Sequence, residues 1–281
     1  MAGTVRGRVA LVTGAARGIG AAIAEALLQN GCQVCIADIL GAEGKATCEK
    51  LKTKYGEGSV CFKYTDVTKD DSFEGTFRDI IRLWGPITVL VSNAGIIDEA
   101  DYVKTIDVNL VSSIRSANIG MKYMGKDNGG EGGNLIFTAS LAGLFPFPPM
   151  PAYTASKFGV VALTKCYAFQ QYEKSGITFS AICPGLTDTA MASIVLEHHR
   201  KQNVPLPVRD KFSEVAFTAS PTELIAAGVI RLLKDNRNGS VLLAHDAIEG
   251  QYRYLSDEHL NPQAVIRAAN AVQDLLAPNE K

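Results

Sequence analysis

The stretch VALVTGAARGIG, residues 9–20, joins a short apolar run to a glycine-rich turn and then to an alanine-rich segment. The apolar run is typical of a buried strand, and residues 19–29 are typical of a helix. Gly14, Gly18 and Gly20 permit a tight turn and let the backbone approach a ligand closely. A helix that starts at such a turn offers free N–H groups and a positive dipole end to phosphate. The stretch therefore predicts a strand–turn–helix unit that holds the pyrophosphate of a dinucleotide.

Short apolar runs and longer helical segments continue to alternate along the chain. Further strands are predicted at 33–38, 59–64, 87–92, 134–140, 177–183 and 241–244. Helices are predicted near 42–55, 70–84, 102–125, 152–172 and 221–234. Apolar strands separated by helices indicate a parallel sheet covered on both faces. The fold class is therefore α/β, a Rossmann-like doubly wound parallel sheet of about seven strands, with its ligand crevice at the carboxyl ends of the strands.

Two regions depart from this alternation and define the expected organisation. Residues 184–220 form a long insertion between a strand and a helix, where a substrate lid would lie. Residues 246–281 follow the last predicted strand as a C-terminal extension, with an amphipathic helix expected at 262–276. We expect a single domain over residues 6–245, and 281 residues suffice for its core.

Composition excludes several classes of function. The chain has 28 basic and 29 acidic side chains and a formal net charge of -1, which gives no electrostatic reason to expect nucleic acid. No segment approaches the roughly 18 apolar residues of a membrane span. Its six cysteines make no disulfide framework, and neither cysteines nor histidines have the spacing of a metal site. We expect a soluble, cytoplasmic protein without a metal.

Asp38 and Arg17 bear on the choice of dinucleotide. Asp38 ends the second predicted strand, about 20 residues after the glycine turn, where a carboxylate accepts the adenosine ribose hydroxyls and repels a 2′-phosphate. Arg17 favours the opposite choice, since a guanidinium beside the turn would attract that phosphate. Because Asp38 faces the ribose directly, we predict NAD. A carbonyl reductase that uses NADP is the alternative.

Tyr153 and Lys157 lie one helical turn apart, a pair that ordinary exposed helices also contain. Here they accompany other motifs, each at a strand end or on the expected helix. The further motifs are TGAARGIG at 13–20, Asp66-Val67, Asn93-Ala94-Gly95, Asn109, Ser140 and Cys183-Pro184-Gly185. With this ordered set the chain resembles the short-chain dehydrogenase/reductase family over roughly residues 6–245.

The resemblance implies a catalytic tetrad of Asn109, Ser140, Tyr153 and Lys157. Tyr153 would take the proton of the alcohol, and Lys157 would lower the pKa of that phenol, ordinarily about 10, while holding the nicotinamide ribose. Ser140 would hydrogen-bond the substrate oxygen, and Asn109 would hold a water in a proton relay. A catalytically silent nucleotide-binding scaffold is a further alternative, and the complete tetrad argues against it.

The resemblance also implies which residues bind the cofactor, at the glycine turn and at the strand ends that follow it. These are Gly14, Arg17, Gly18, Ile19, Gly20, Asp38, Ile39, Asp66, Val67, Asn93, Ala94, Gly95, Tyr153, Lys157, Pro184, Gly185, Leu186, Thr187 and Thr189.

The chain further resembles a subgroup of the family that oxidises a prostaglandin hydroxyl with NAD, through NLVSSI at 109–114, YMGKDNGGEGGN at 123–134 and SLAGLFP at 140–146. That subgroup has a glutamine three residues before the tyrosine, where this chain has Met150. An apolar, adaptable pocket is therefore predicted, for a secondary alcohol on a lipid-like skeleton: a prostanoid, steroid or terpenoid. Its expected lining is Ser140, Phe145, Phe147, Met150, Tyr153, Met191, Ile194 and Val195.

The resemblance also bears on assembly. Members of the family commonly pair through the two long helices that carry Asn109 and Tyr153. The apolar content of 102–125 and 158–169 is what burial on two sides requires. We therefore expect a homodimer or homotetramer whose only other partner is a small apolar alcohol or ketone.

Overall fold

One sheet lies at the centre of the computed structural model, which describes residues 4–202, 219–246, 248 and 250–255. In those residues the sheet has eight strands. They are β1 Val9–Thr13, β2 Gln33–Asp38, β3 Val60–Tyr64, β4 Ile87–Ser92, β5 Gly133–Thr138, β6 Ile177–Pro184, β7 Val241–Ala244 and β8 Tyr252–Tyr254. Their order across the sheet is β3-β2-β1-β4-β5-β6-β7-β8.

Helices connect these strands and cover both faces of the sheet. They are α1 Gly18–Gln29, α2 Gly41–Tyr55, α3 Asp70–Trp84, α4 Tyr102–Ile106, α5 Ser112–Met124, α6 Pro151–Ser175, α7 Ala190–Gln202 and α8 Thr222–Asp235. Between α4 and α5 the chain continues as a π-helical segment, Asp107–Val111, and short 3-10 turns lie at Lys126–Asn128 and Leu141–Gly143. Helix α6 ends at Gly176 with a positive φ of 62°, and α8 ends at Asn236 with a φ of 48°.

The strand order fixes where a ligand can bind. Strands β1 to β7 are all parallel to their neighbours, and only β8 runs antiparallel, against β7. The chain moves outward from β1 through β2 to β3, then crosses back to β4 on the other side of β1. A crevice opens beyond the carboxyl ends of strands at such a reversal.

Alternation along each strand divides the core into two layers. In β1, Ala10 and Val12 face a layer that includes α1 and α8, while Leu11 faces a layer that includes α3, α5 and α6. Phe137 and Phe179 are fully buried in the second layer. Because both faces are covered, the strands are apolar at nearly every position, which is why their sequences read as continuous apolar runs.

Two sequence-based expectations change with the structure. The sheet has eight strands rather than about seven, because residues 252–254, predicted to trail beyond the sheet, form β8 on its edge. The single helix predicted at 102–125 is α4, a π-helical segment and α5. The structure describes the predicted lid at 184–220 as far as residue 202 and again from residue 219, and α7 lies in its first part. The helix predicted at 262–276 lies outside the described residues. Across the described residues, none of the helices combines the length and apolarity that a membrane crossing requires.

Candidate active site

A cavity of about 1070 Å³ lies beyond the carboxyl ends of the parallel strands. Every residue that the sequence predicts to bind the cofactor lines it, from the glycine turn after β1 to Thr189 after β6. Of the predicted tetrad, Ser140, Tyr153 and Lys157 line it as well. One space therefore joins the predicted cofactor site to the predicted catalytic side chains.

The glycine turn is shaped for a pyrophosphate. Gly14 and Gly18 have positive φ angles of 63° and 58°, which favour glycine. A Cβ at Gly14 would lie 2.7 Å from the Ala94 Cα, and one at Gly20 would lie 2.2 Å from the Gly14 carbonyl oxygen. Helix α1 begins here without a side-chain cap or an acidic residue in its first turn, so its N-terminal N–H groups remain available to an anion. The turn fits the phosphates of a dinucleotide.

Asp38 holds its carboxylate at the cavity by hydrogen bonds on both oxygens. The backbone N–H of Ala16 donates to Oδ2 and that of Leu40 donates to Oδ1, each at 2.9 Å. Asp38 is buried, whereas Arg17 is exposed. A fixed negative charge at this point suits ribose hydroxyls and opposes a 2′-phosphate.

Asn93 ties the end of β4 to the end of β1. Its side-chain amide donates to the carbonyl oxygens of Thr13 at 3.0 Å and Gly14 at 3.1 Å. In return, the Thr13 hydroxyl accepts from the backbone N–H groups of Asn93 and Ala94. These bonds fix the floor of the cofactor cavity.

Tyr153 and Lys157 lie in the first two turns of α6 and are both buried. The Lys157 Nζ lies 5.6 Å from the centre of the Tyr153 ring and donates to the Thr138 carbonyl oxygen at 2.8 Å. Ser140, after β5, accepts from the Ala142 N–H through its hydroxyl at 3.1 Å. The three side chains therefore converge from the end of β5 and from α6.

Burial dominates the acid–base properties of this group. It raises the pKa of Tyr153, and a hydrogen bond from Ser140 opposes the rise in part. It lowers the pKa of Lys157 to about 8 and raises the pKa of the neighbouring Cys183 to about 12. Burial therefore sets the direction of the shift at Tyr153 in the chain without a cofactor, and the role of Lys157 in lowering the pKa of that phenol stays a prediction.

Asn109 lies in the π-helical segment and does not line the cavity. Its Oδ1 accepts from the Ile96 N–H at 2.8 Å, and its Nδ2 donates to the Ile96 carbonyl at 3.0 Å and to the Ser156 hydroxyl at 3.1 Å. Ser156 in turn donates to the Tyr153 carbonyl at 2.6 Å. The side chain of Asn109 thus braces the loop after β4 against the catalytic helix, and its role in holding a water stays a prediction.

The predicted substrate wall forms an apolar cluster beside the tyrosine. Met150, only 2% exposed, packs with Ile97 and the Tyr153 ring, and Phe147 and Met191 pack against them. Val195 belongs to the same cluster, and Phe145 lines the cavity. Ile194, also expected here, does not line the cavity and is 36% exposed.

Several lining residues were missed by sequence reasoning. They are Leu40, Thr65, Thr68, Ile96, Lys104, Val108, Thr138, Ala139, Leu141, Ala142, Pro146, Pro148, Asp188, Ala190 and Ala192. Most lie directly beside a predicted residue, so their proximity in sequence was the available signal. Lys104 gave no such signal, because it lies away from every predicted residue in sequence and only the packing of α4 brings it to the cavity. In the described part of the chain, no cluster of three or more His, Cys, Asp or Glu side chains could hold a metal.

Comparison with known proteins gives a family for this arrangement. The family model described as short chain dehydrogenase matches residues 8–200. The 15-hydroxyprostaglandin dehydrogenase [NAD(+)] of Macaca fascicularis is 39% identical over 243 residues, which cover 85% of this chain and 91% of that protein.

One further relative and one solved structure are similar to the chain. The 3beta-hydroxysteroid dehydrogenase 2 of Eggerthella lenta is 36% identical over 190 residues, covering 65% of this chain and 72% of that protein. A solved structure described as the crystal structure of gox2181 superposes with a TM-score of 0.73 at 24% identity, covering 85% of this chain and 95% of the other. The superposition supports the fold alone.

Proposed function

This chain belongs to the short-chain dehydrogenase family, and from that premise we propose that it oxidises a secondary alcohol on a lipid-like substrate to the ketone, with NAD as the hydride acceptor. The observation that carries the proposal is the convergence of Ser140, Tyr153 and Lys157 on the cavity that the glycine turn and Asp38 also line. Ser140, Tyr153 and Lys157 supply groups for proton transfer. The glycine turn and Asp38 supply a binding site for a nucleotide.

Tyr153 is the proposed base. Its phenolate would receive the alcohol proton and become the neutral phenol, while Ser140 donates a hydrogen bond that orients the alcohol oxygen. When bound, NAD would supply the hydride acceptor, and the positive charge of its nicotinamide ring would favour the phenolate. Burial raises the pKa of Tyr153 in the chain alone, so a positive field at the phenol favours its ionised form. Lys157, with a pKa of about 8, keeps most of its charge at neutral pH and contributes to that field.

Preference for NAD over NADP rests on Asp38. Its two oxygens are fixed by backbone N–H groups, so the carboxylate cannot turn away from an incoming 2′-phosphate. The relatives named after 15-hydroxyprostaglandin carry NAD(+) in their names. Arg17 lines the same cavity and is the feature that a carbonyl reductase using NADP would need.

The substrate class rests on the apolar wall. Met150 shares an apolar cluster with Tyr153, Phe147 and Met191 pack against that cluster, and all three line the cavity. Such a wall recognises a carbon skeleton by shape and contact, because it offers no hydrogen-bonding group. The names of the relatives include a hydroxyprostaglandin and a hydroxysteroid, both secondary alcohols on large apolar skeletons.

The proposal extends to organisation and assembly. Residues 6–245 form the dehydrogenase domain, and 184–220 form a lid to which α7 contributes Met191 and Val195. Large apolar side chains are exposed on α4 to α6, which supports pairing of two chains through these helices. All six cysteines are free thiols, as suits a reducing, cytoplasmic location.

The test is NADH absorbance across a panel of alcohols, with prostaglandin, steroid, terpenoid and short aliphatic members. We expect NADH from at least one lipid-like alcohol and a much lower catalytic efficiency for the short alcohols. Higher efficiency with NADP on the same substrate would favour the carbonyl reductase instead. NAD binding without turnover of any alcohol would favour a scaffold. The matched control is Tyr153→Phe, which removes one oxygen from the site.

A further inference from the structure

Glu99, which is not part of α6, caps the N-terminus of that helix. This side chain lies in the loop between β4 and α4, and it is half-buried. Its Oε2 accepts from the backbone N–H of Ala152 at 3.0 Å, and its Oε1 accepts from that of Tyr153 at 2.9 Å. Helix α6 begins with Pro151, which has no N–H, and Met150 before it supplies no side-chain cap. Glu99 therefore performs the capping that the helix lacks in its own sequence.

The backbone N–H and the backbone carbonyl of Tyr153 are both held by hydrogen bonds that lead to the same region of the chain. Glu99 accepts from its N–H, while Ser156 donates to its carbonyl oxygen and is itself held by Asn109. Asn109 in turn binds the backbone of Ile96, three residues before Glu99. The loop after β4, which carries the cofactor residues Asn93 to Gly95, is thus linked to Tyr153 at both ends of that residue.

We propose that Glu99 is a positioning residue for Tyr153: its carboxylate fixes the first turn of α6, and its negative charge raises the pH at which the phenol ionises. The inference rests on the proposed function insofar as the phenol is the base. The cap itself stands on the two hydrogen bonds.

The effect of the Glu99 charge on the Tyr153 phenol depends on the other groups around that phenol. Lys157 faces it from the same helix, Ser140 from the end of β5 and Cys183 from the end of β6. The loop of Glu99 also carries Asp98 and Asp101, and neither makes a hydrogen bond to α6 among those described. A carboxylate at the N-terminus of α6 cancels part of the positive dipole end that would otherwise favour the phenolate. Removing the charge of Glu99 should therefore lower the pKa of Tyr153.

The test titrates Tyr153 directly by nuclear magnetic resonance of isotope-labelled tyrosine in the NAD complex. The Tyr153 signal is identified by its absence in Tyr153→Phe. In Glu99→Gln we expect the pKa of Tyr153 to fall by about half a unit, because a unit charge in a partly screened site has an effect of that order. Glu99→Asp keeps the charge and should restore the wild-type value. Asp101→Asn, which removes a charge from the same loop without touching α6, is the matched control and should leave it unchanged.

Turnover provides the second readout. The plateau kcat of Glu99→Gln should fall about three- to thirtyfold, as expected for loss of a charged hydrogen bond at a cap. The KM for NAD should stay within about twofold, since Glu99 does not line the cavity. An unchanged Tyr153 titration in folded Glu99→Gln, or an equal shift in Asp101→Asn, would overturn the charge role. The titration needs no substrate, so it decides the inference even if the alcohol panel gives no NADH.

Discussion

At the scale of single residues, Lys157 places an ammonium group where water is excluded. Its Nζ has one carbonyl partner, the Thr138 oxygen, and burial lowers its pKa from 10.5 to about 8. A lysine with a lower pKa in the folded state binds fewer protons there than in the unfolded chain. Stability therefore rises with pH between about 8 and 10.5, and below about pH 8 the buried charge destabilises the fold by at most about 3 kcal/mol.

Lys157→Met should accordingly stabilise the protein at neutral pH while abolishing turnover. We expect its free energy of unfolding at pH 7 to exceed that of wild type by about 1–3 kcal/mol. The excess should shrink by about 2 kcal/mol by pH 10, as the wild-type lysine loses its proton. Urea unfolding at both pH values measures this. The exposed Lys45→Met is the control, and a Lys157→Met excess that does not vary with pH would contradict the account.

Asp38 is a second single residue with a large expected effect, because its charge selects NAD over NADP. Asp38→Asn keeps the size of the side chain and removes its charge. Its catalytic efficiency with NAD should fall about tenfold to a hundredfold, in line with the loss of hydrogen bonds from a charged group. The ratio of efficiency with NADP to that with NAD should rise. Adding Arg17→Ala should cancel the gain with NADP, and a wild-type protein that already prefers NADP would contradict the assignment.

At the scale of elements, the exposed faces of the helices from α4 to α6 predict an interface. Val111, Ile114 and Phe158 are all exposed. A Cβ at Gly159 would lie 2.8 Å from the Leu110 side chain, so α6 packs closely against the segment that carries Leu110. Phe169, 74% exposed, continues the same apolar face along α6. Apolar side chains this exposed on two adjacent helices indicate a surface that another copy covers.

Light scattering at micromolar concentration should give about twice the 30.0 kDa mass of one chain, or four times it for a tetramer. Phe169→Glu should reduce the mass to that of one chain without lowering the melting temperature of the monomer, because the side chain is largely exposed. Leu83→Glu is the matched control, since Leu83 is exposed on α3 (55%) away from this face. A single-chain mass for the wild type would refute the interface.

The elements also show what a sequence can reveal. The strands and most helices were predicted to within a few residues because burial on both faces leaves an unbroken apolar pattern. The π-helical segment at 107–111 was missed, since one extra residue in a turn hardly changes the spacing of apolar side chains. Strand β8 was missed because it has only three residues, none of them buried, which are too few to show a periodicity. The contact from Glu99 to Tyr153 spans 54 positions, and only the folded chain brings these residues together.

At the scale of the whole molecule, the order of the strands does most to create the site. The chain reverses direction across the sheet between β3 and β4, so the glycine turn after β1 and the loop after β4 meet over one crevice. Handedness rules make this arrangement predictable from alternating strands and helices. The pKa values at the site were not predictable, because they depend on how completely the packed helices exclude water from Tyr153 and Lys157.

The central claim is that this crevice transfers hydride from an alcohol to NAD with Tyr153 as the base. The most direct measurement is the rate of NADH formation by wild type and by Tyr153→Phe on the best alcohol of the panel, with NAD affinity measured by calorimetry. Loss of general base catalysis should lower kcat by about a hundredfold to ten-thousandfold. NAD affinity should stay within about threefold, because only the ionisable oxygen is removed. If Tyr153→Phe kept more than a few per cent of the wild-type rate, the claim would be contradicted.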